Sequence, residues 1–170
     1  MNANTPVISR KRILQGVASV GLISGFGTAA RASATDVVGA WSLEAFDELG
    51  PGGAAKPRFG PHPVGYLIYT ASGRVSATLS AAHRPKLVAP DAASSTVEER
   101  SESLRNFLAY AGTYRIVGNH VFHTLEACIW TNLVGTTLER AFELSGNTLT
   151  IRTLPPYIWG NASRLIWRRT

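Results

Sequence analysis

Residues 64–80 carry the clearest alternation of apolar and polar positions in the chain. A short β-prone run is followed by a turn signal at Ser72-Gly73, after which apolar side chains alternate with serine and threonine. This pattern predicts a β-hairpin with one apolar and one polar face, as in an antiparallel sheet that is buried on one side. The side chains expected on the buried face are those of Tyr66, Ile68, Val75, Ala77 and Leu79.

The rest of the chain repeats the strand pattern. Single strands are predicted over residues 38–46 and 163–169, and two further hairpins over residues 110–128 and 136–154. Between them, Thr96 and Glu99 form a capping box that predicts one short helix, while residues 47–63 and 83–95 are expected to be loops. The fold class is therefore all-β. Eight antiparallel strands can close into an up-and-down barrel that holds side chains or one small ligand.

Strand parity identifies the side chains that should point into this barrel. A two-residue turn at Gly118-Asn119 places Tyr114 opposite His123 and Tyr110 opposite Ala127. The other members of the predicted inner face are Gly112, Ile116, Val121, Leu125, Leu138, Arg140, Phe142, Leu149, Ile151 and Thr153.

Arg140 is the most informative member of that face. A guanidinium inside a barrel is costly unless it is paired, hydrated or bound to an acid. No acidic residue shares its predicted face, and Glu126 can reach it only if the strand is bulged. We therefore expect Arg140 to border either a hydrated cavity or an acidic ligand.

The first 34 residues differ in composition from the rest of the chain. A basic cluster, Arg10-Lys11-Arg12, precedes a weakly apolar Gly/Ala-rich segment, and Ala32-Ser33-Ala34 matches an A-x-A cleavage site. The cluster resembles the twin-arginine export pattern with a lysine in place of the second arginine. We expect residues 1–34 to be a cleaved signal peptide and residues 35–170 to be the exported domain, periplasmic or secreted, with no stable membrane span.

Charge and residue types narrow the possible partners. Four of the 17 basic residues and none of the 11 acidic residues lie in the predicted signal, so the mature chain has a net charge of +2. No basic cluster remains that would follow a phosphate backbone, and we expect no nucleic-acid partner. His120 and His123 fall on opposite faces of a strand, and Cys128 is alone, so neither a metal site nor a cofactor is expected.

Motifs at both ends of the domain resemble the lipocalin (calycin) signature. In that signature an arginine on the last strand packs across the tryptophan of a G-x-W motif, which corresponds here to Gly39-x-Trp41. The arginine is expected to be Arg169, which shares the parity of Leu165 and Trp167, or Arg168 if the register of the last strand differs by one. Residues 63–70, 108–114 and 132–136 are similar to the bacterial and fungal lipocalin-like domain family. The resemblance covers about residues 38–169 and implies a barrel that binds a small apolar or amphipathic molecule; a minority of calycins catalyse isomerisation or cyclisation.

Three hypotheses for function follow. The first is an exported barrel that binds a small, largely apolar molecule, including one with a carboxylate or enolate. The second is a cofactor-free isomerase, cyclase or lyase in which His123 is the general acid or base, Tyr114 or Tyr110 positions the proton and Arg140 stabilises an oxyanion. The third is a structural or partner-binding barrel with a filled interior. The residues expected to contact a ligand are Tyr66, Ile68, Val75, Ala77, Leu79, Tyr110, Tyr114, His123, Leu125, Arg140, Phe142 and Ile151.

The predicted signal peptide can be tested by removing its charge. Replacing Arg10, Lys11 and Arg12 together by glutamine is expected to leave uncleaved precursor in the cytoplasm, because export signals need a basic n-region. For the unaltered protein, mass spectrometry of the exported fraction is expected to find Thr35 at the N-terminus. Exported protein that retains Met1 would contradict the cleavage prediction.

Overall fold

The structure is a computed structural model that describes residues 36–158 and 160–170. The predicted signal peptide, residues 1–34, lies outside the described residues. Within them the elements are β1 (Gly39–Leu49), β2 (Ala55–Pro57), β3 (Val64–Tyr69), β4 (Arg74–Ser80), α1 (Val97–Arg105), β5 (Phe107–Val117), β6 (His120–Cys128), β7 (Thr137–Ser145), β8 (Thr148–Thr153) and β9 (Ala162–Arg169).

Eight of these strands form a closed antiparallel barrel. Each strand from β3 to β8 pairs with the next strand along the chain, β1 pairs with β3, and β9 pairs with both β8 and β1. The short strand β2 pairs only with the last residues of β1. The predicted fold class is thus confirmed. The pattern missed β2, which lies in the predicted loop over residues 47–63, because its sequence Ala-Lys-Pro has no alternation.

The barrel closes through the pairing of β1 with β9. We call the end of the barrel at which Trp41 lies the Trp41 end. Trp41 pairs with Arg169 and is fully buried, and the Arg169 guanidinium carbon lies 4.1 Å from the centroid of the tryptophan ring. Arg169 Nη1 also donates a hydrogen bond of 2.8 Å to the carbonyl oxygen of Val38. Parity predicted Arg169 rather than Arg168 as the partner. The structure confirms it, since Arg168 forms an exposed ion pair with Glu44.

Gly39 is required by this packing. Its φ angle is 136°, a value that favours glycine, and a Cβ atom at this position would lie 2.9 Å from Arg169 Nη1. A side chain at residue 39 would therefore displace the guanidinium from its position on the tryptophan ring. The G-x-W motif is thus one structural unit with the arginine of β9.

The first hairpin has the opposite register from the one predicted. Tyr69 pairs with Val75 and Leu67 with Ala77, so five residues, 70–74, separate the first pair, and Leu67 and Tyr69 point inward. Tyr66 and Ile68 lie on the outer surface, 55% and 43% exposed, and the prediction that they line the interior is wrong. The run Tyr-Leu-Ile-Tyr is apolar at both parities, so only the turn determines which face is buried. Val75, Ala77 and Leu79 are buried as predicted.

A β-bulge alters the second hairpin. The register shifts next to Gly112, so Tyr110 pairs with Cys128 and not with Ala127 as predicted. A Cβ on Gly112 would lie 1.9 Å from a backbone oxygen of β6, so glycine is needed there. The bulged residue, Glu126, lies outside and accepts hydrogen bonds of 2.6 and 2.7 Å from Arg74. It therefore does not pair with Arg140.

Helix α1 begins with the predicted capping box. Thr96 Oγ1 accepts from the Glu99 backbone nitrogen at 3.2 Å, and the Glu99 carboxylate accepts from the Thr96 nitrogen at 2.9 Å. The helix leads directly into β5 and so lies at the barrel end opposite Trp41. In the part of the chain that the structure describes, no helix is long and apolar enough to cross a membrane.

Closure of the barrel can be tested with two neighbouring arginines. Arg169→Gln is expected to lower the free energy of unfolding by about 1 to 2 kcal/mol, because it removes a cation–π contact and a partly buried hydrogen bond. Arg168→Gln, the matched control, removes only an exposed ion pair and should cost less than about 1 kcal/mol. Urea unfolding measures both. Equal losses would contradict the role assigned to Arg169.

Candidate functional site

Three aromatic side chains form a polar cluster inside the barrel. His123 on β6 is 1% exposed and lies between Tyr69 on β3 and Tyr110 on β5. The Tyr69 hydroxyl is 2.8 Å from His123 Nε2, and the Tyr110 hydroxyl is 2.9 Å from Nδ1. Each imidazole nitrogen therefore has one phenol as its hydrogen-bond partner.

Tyr114 does not belong to this cluster. It pairs with His123 across β5 and β6 as predicted, but its hydroxyl donates to the carbonyl oxygen of Thr70 at 3.0 Å. Its ring packs on that of Tyr69, with the centroids 4.7 Å apart. Tyr69 was not among the predicted inner residues, because the two-residue turn signal assigned the neighbouring positions of β3 to the inner face. Counting back from Val75 across the five residues 70–74 identifies it.

Burial keeps the cluster uncharged near neutral pH. Burial, together with the nearby charge of Arg140, lowers the pKa of His123 to about 3. Burial also raises the pKa of Tyr110 to about 12 and raises that of Tyr69. A neutral imidazole has one donor and one acceptor nitrogen. One phenol therefore donates to His123, while the other accepts from it and keeps its own hydrogen for a third group.

Arg140 on β7 places a positive charge beside this cluster. It is 5% exposed, and its Nη1 donates a hydrogen bond of 2.9 Å to the carbonyl oxygen of Glu139. No carboxylate forms an ion pair with it among residues 36–158 and 160–170. Burial lowers the pKa of Arg140 while Tyr110 and Tyr69 raise it, and an arginine keeps its proton in proteins. The barrel therefore encloses a cation without an anionic partner in the described chain.

A cavity of about 40 Å³ lies next to Arg140. This is about the space of one or two water molecules, so side chains fill most of the interior. Trp167 also borders the cavity, and its buried Nε1 has no hydrogen-bond partner among the described residues. The remaining described side chains around the cavity are Phe46, Leu67, Leu79, Leu108, Tyr110, His123, Ile151, Thr153, Ile158, Asn161, Ser163 and Leu165.

The predicted site residues divide into three groups. Five border the cavity: Leu79, Tyr110, His123, Arg140 and Ile151. Four are buried in the barrel but are not among the side chains around the cavity: Val75, Ala77, Leu125 and Phe142. Tyr114 is half-buried, and Tyr66 and Ile68 point outward. The cavity residues that the sequence did not predict come from β1, from β9 and from the connection between β8 and β9, together with Leu67 on β3 and Leu108 on β5.

This arrangement is suited to hydrogen-bond donation. The guanidinium of Arg140 and the indole of Trp167 only donate, and they border one cavity. A histidine with a pKa of about 3 and both nitrogens engaged is a weak general base near pH 7. Among the residues that the structure describes, no three His, Cys, Asp or Glu side chains are grouped so that they could hold a metal ion.

The lowered pKa of His123 predicts a specific dependence of stability on pH. Between about pH 6.5 and pH 3 the unfolded chain binds a proton at this residue and the folded chain does not, so stability falls as the pH falls. His123→Gln is expected to reduce the slope of the free energy of unfolding against pH by the amount that corresponds to about one proton. His83→Gln, which changes an exposed histidine, is the control and should leave this slope unchanged. Urea unfolding from pH 7.5 to pH 4.5 measures the slope. An unchanged slope for His123→Gln would contradict the assignment.

Comparisons with known proteins agree with the fold. The protein named 4'-hydroxy-3'-methoxypropiophenone carrier protein ppsC, from Aspergillus oryzae, is 29% identical over 87 residues, which cover 45% of this chain and 78% of that protein. A family model described as a lipocalin-like domain matches residues 38–170. That match includes every strand of the barrel and both residues of the Trp41–Arg169 pair. The chain therefore belongs to the lipocalin-like domain family.

Proposed function

We propose that this barrel binds a small, largely apolar molecule that carries a hydrogen-bond-accepting oxygen, as a carboxylate, an enolate or phenolate, or a carbonyl. The observation behind the proposal is Arg140, a buried cation that borders a cavity and has no carboxylate partner in the described chain. An unpaired buried charge costs several kcal/mol. A ligand oxygen at this position would offset that cost through a charge-assisted hydrogen bond.

Two other groups around the cavity, Trp167 and Tyr110, support an acceptor rather than a donor on the ligand. Trp167 Nε1 is a buried donor without a partner in the described residues. Of the two phenols on His123, only Tyr110 borders the cavity, so the spare hydroxyl hydrogen is best satisfied there. In that tautomer His123 Nδ1 donates to Tyr110, and Tyr110 donates towards the ligand. Three donors would then surround the ligand oxygen.

The cavity wall supports an apolar group next to the oxygen of the ligand. Most of the side chains around it are aliphatic or aromatic, among them Leu79, Leu108, Ile151 and Leu165. Such walls with a few polar groups are usual for small-molecule sites, where the polar groups set orientation. The similarity to a carrier of 4'-hydroxy-3'-methoxypropiophenone points the same way, because that name denotes an aryl ketone with a phenolic hydroxyl.

The state of His123 favours a carrier over an enzyme. A general base is most effective when its pKa is near the working pH, whereas burial lowers the pKa of His123 to about 3. Both of its nitrogens are also engaged by Tyr69 and Tyr110. Tyr114, which the enzyme hypothesis used to position a proton, bonds to the backbone of Thr70. His123 is better explained as the group that orients Tyr110.

We also propose that the protein acts outside the cytoplasm. The support is the basic cluster of residues 10–12, the A-x-A sequence at residues 32–34, and the family match, which begins only at residue 38. Residues 1–34 would then serve export and take no part in ligand binding. A carrier of this kind would hold its ligand in the periplasm or the external medium.

The proposal predicts charge-dependent affinity at Arg140. Arg140→Leu is expected to weaken binding of 4-phenylbutyrate by about 10- to 100-fold, because the carboxylate loses a charge-assisted hydrogen bond. Binding of 4-phenylbutanol, the neutral analogue, should change by less than about threefold. Isothermal titration calorimetry measures both dissociation constants, and circular dichroism confirms that the variant is folded.

Arg152→Leu is the matched control, since Arg152 lies on the exposed face of β8. It should leave both affinities unchanged. Equal weakening of the acid and the alcohol by Arg140→Leu would show that the arginine is structural and would refute the proposed site. Failure of the unaltered protein to bind either compound would refute it as well.

A further inference from the structure

A second space lies at the barrel end opposite Trp41. It is a groove of about 420 Å³ between α1, the start of β5 and the segment that follows β6. The apolar side chains that line it are Leu104, Phe107, Leu108, Ile129, Trp130 and Ile158. Trp130 is 50% exposed although it is the largest of them. Half-exposed aromatic side chains around a concave surface are typical of a ligand-contact surface.

The groove and the inner cavity share two boundary residues. Leu108 and Ile158 line both spaces, so these two side chains stand between them. Leu108 is on the inner face of β5, paired with Leu79, and Ile158 is in the connection between β8 and β9. Both are aliphatic, and an apolar chain passes between them only when these side chains change rotamer.

The inner cavity is too small for the ligand that its chemistry favours. About 40 Å³ accommodates a carboxylate or carbonyl group but not an aromatic ring or an alkyl chain. Sites for small molecules usually enclose several hundred Å³. The groove supplies a volume of that size, immediately beyond Leu108 and Ile158.

We propose that the groove and the cavity are two halves of one binding site for an elongated amphipathic molecule. The oxygen-bearing head lies at Arg140, and the apolar tail passes between Leu108 and Ile158 and rests against Phe107 and Trp130. This inference rests on the proposed function for its head site and adds the class of ligand. That class is long-chain or aryl-alkyl acids and ketones, in preference to compact molecules.

A pair of acids that differ only in chain length tests the inference. In the unaltered protein, 8-phenyloctanoate is expected to bind about 100-fold more tightly than 3-phenylpropionate, because only its tail reaches the groove. Trp130→Ala is expected to weaken the binding of 8-phenyloctanoate by about tenfold and the binding of 3-phenylpropionate by about twofold at most. Calorimetry measures the four dissociation constants.

Tyr66→Ala is the matched control for Trp130→Ala. Tyr66 is an aromatic residue of similar exposure, 55%, on the outer face of β3 and away from the groove. It should leave both affinities unchanged. The extended site is refuted if chain length has no effect on affinity, or if Trp130→Ala leaves the affinity for 8-phenyloctanoate unchanged. In that case binding of the acids that still depends on Arg140 would leave the proposed function intact, whereas absence of binding by both acids would refute both proposals.

Discussion

The interior of this barrel is organised around the positive charge of Arg140. Moving a guanidinium from water into a barrel costs several kcal/mol, and the described chain offers it a backbone oxygen and two phenols rather than a carboxylate. Burial, together with this charge, holds His123 neutral, so one of the two phenols donates to the imidazole and the other accepts from it. The hydrogen bonds of the cluster therefore depend on burial and on one nearby cation.

The closed sheet makes this arrangement possible. Eight strands pair in a ring, so every second side chain points into one common interior and strands distant in sequence supply it together. Arg169 packs on Trp41 and closes the Trp41 end of the barrel. The cavity extends instead towards Ile158 at the other end, where α1 and the segment after β6 form the groove. Access to the interior is thus expected only from that side.

How far the sequence predicted the site depends on how each strand is held in register. Two-residue turns fix pairing, so His123 and Arg140 were placed inside correctly. In the first hairpin five residues separate Tyr69 from Val75, and the run before them is apolar on both faces, so parity could not choose Tyr69 over Tyr66. The isolated Gly112 inside β5 is a signal for the bulge at Glu126, but it does not identify which residue of β6 is left unpaired. The groove was not predictable, because it joins segments that only the closed barrel brings together.

A crystal structure of the protein with bound 4-phenylbutyrate would test the central claim most directly. A carboxylate oxygen is expected within about 3 Å of an Arg140 Nη atom, with Tyr110 and Trp167 as further donors. The phenyl ring is expected between Leu108 and Ile158, on the side of the groove. A carboxylate bound elsewhere, with Arg140 still bonded only to protein groups or water, would contradict the assignment of this arginine as the ligand-binding residue.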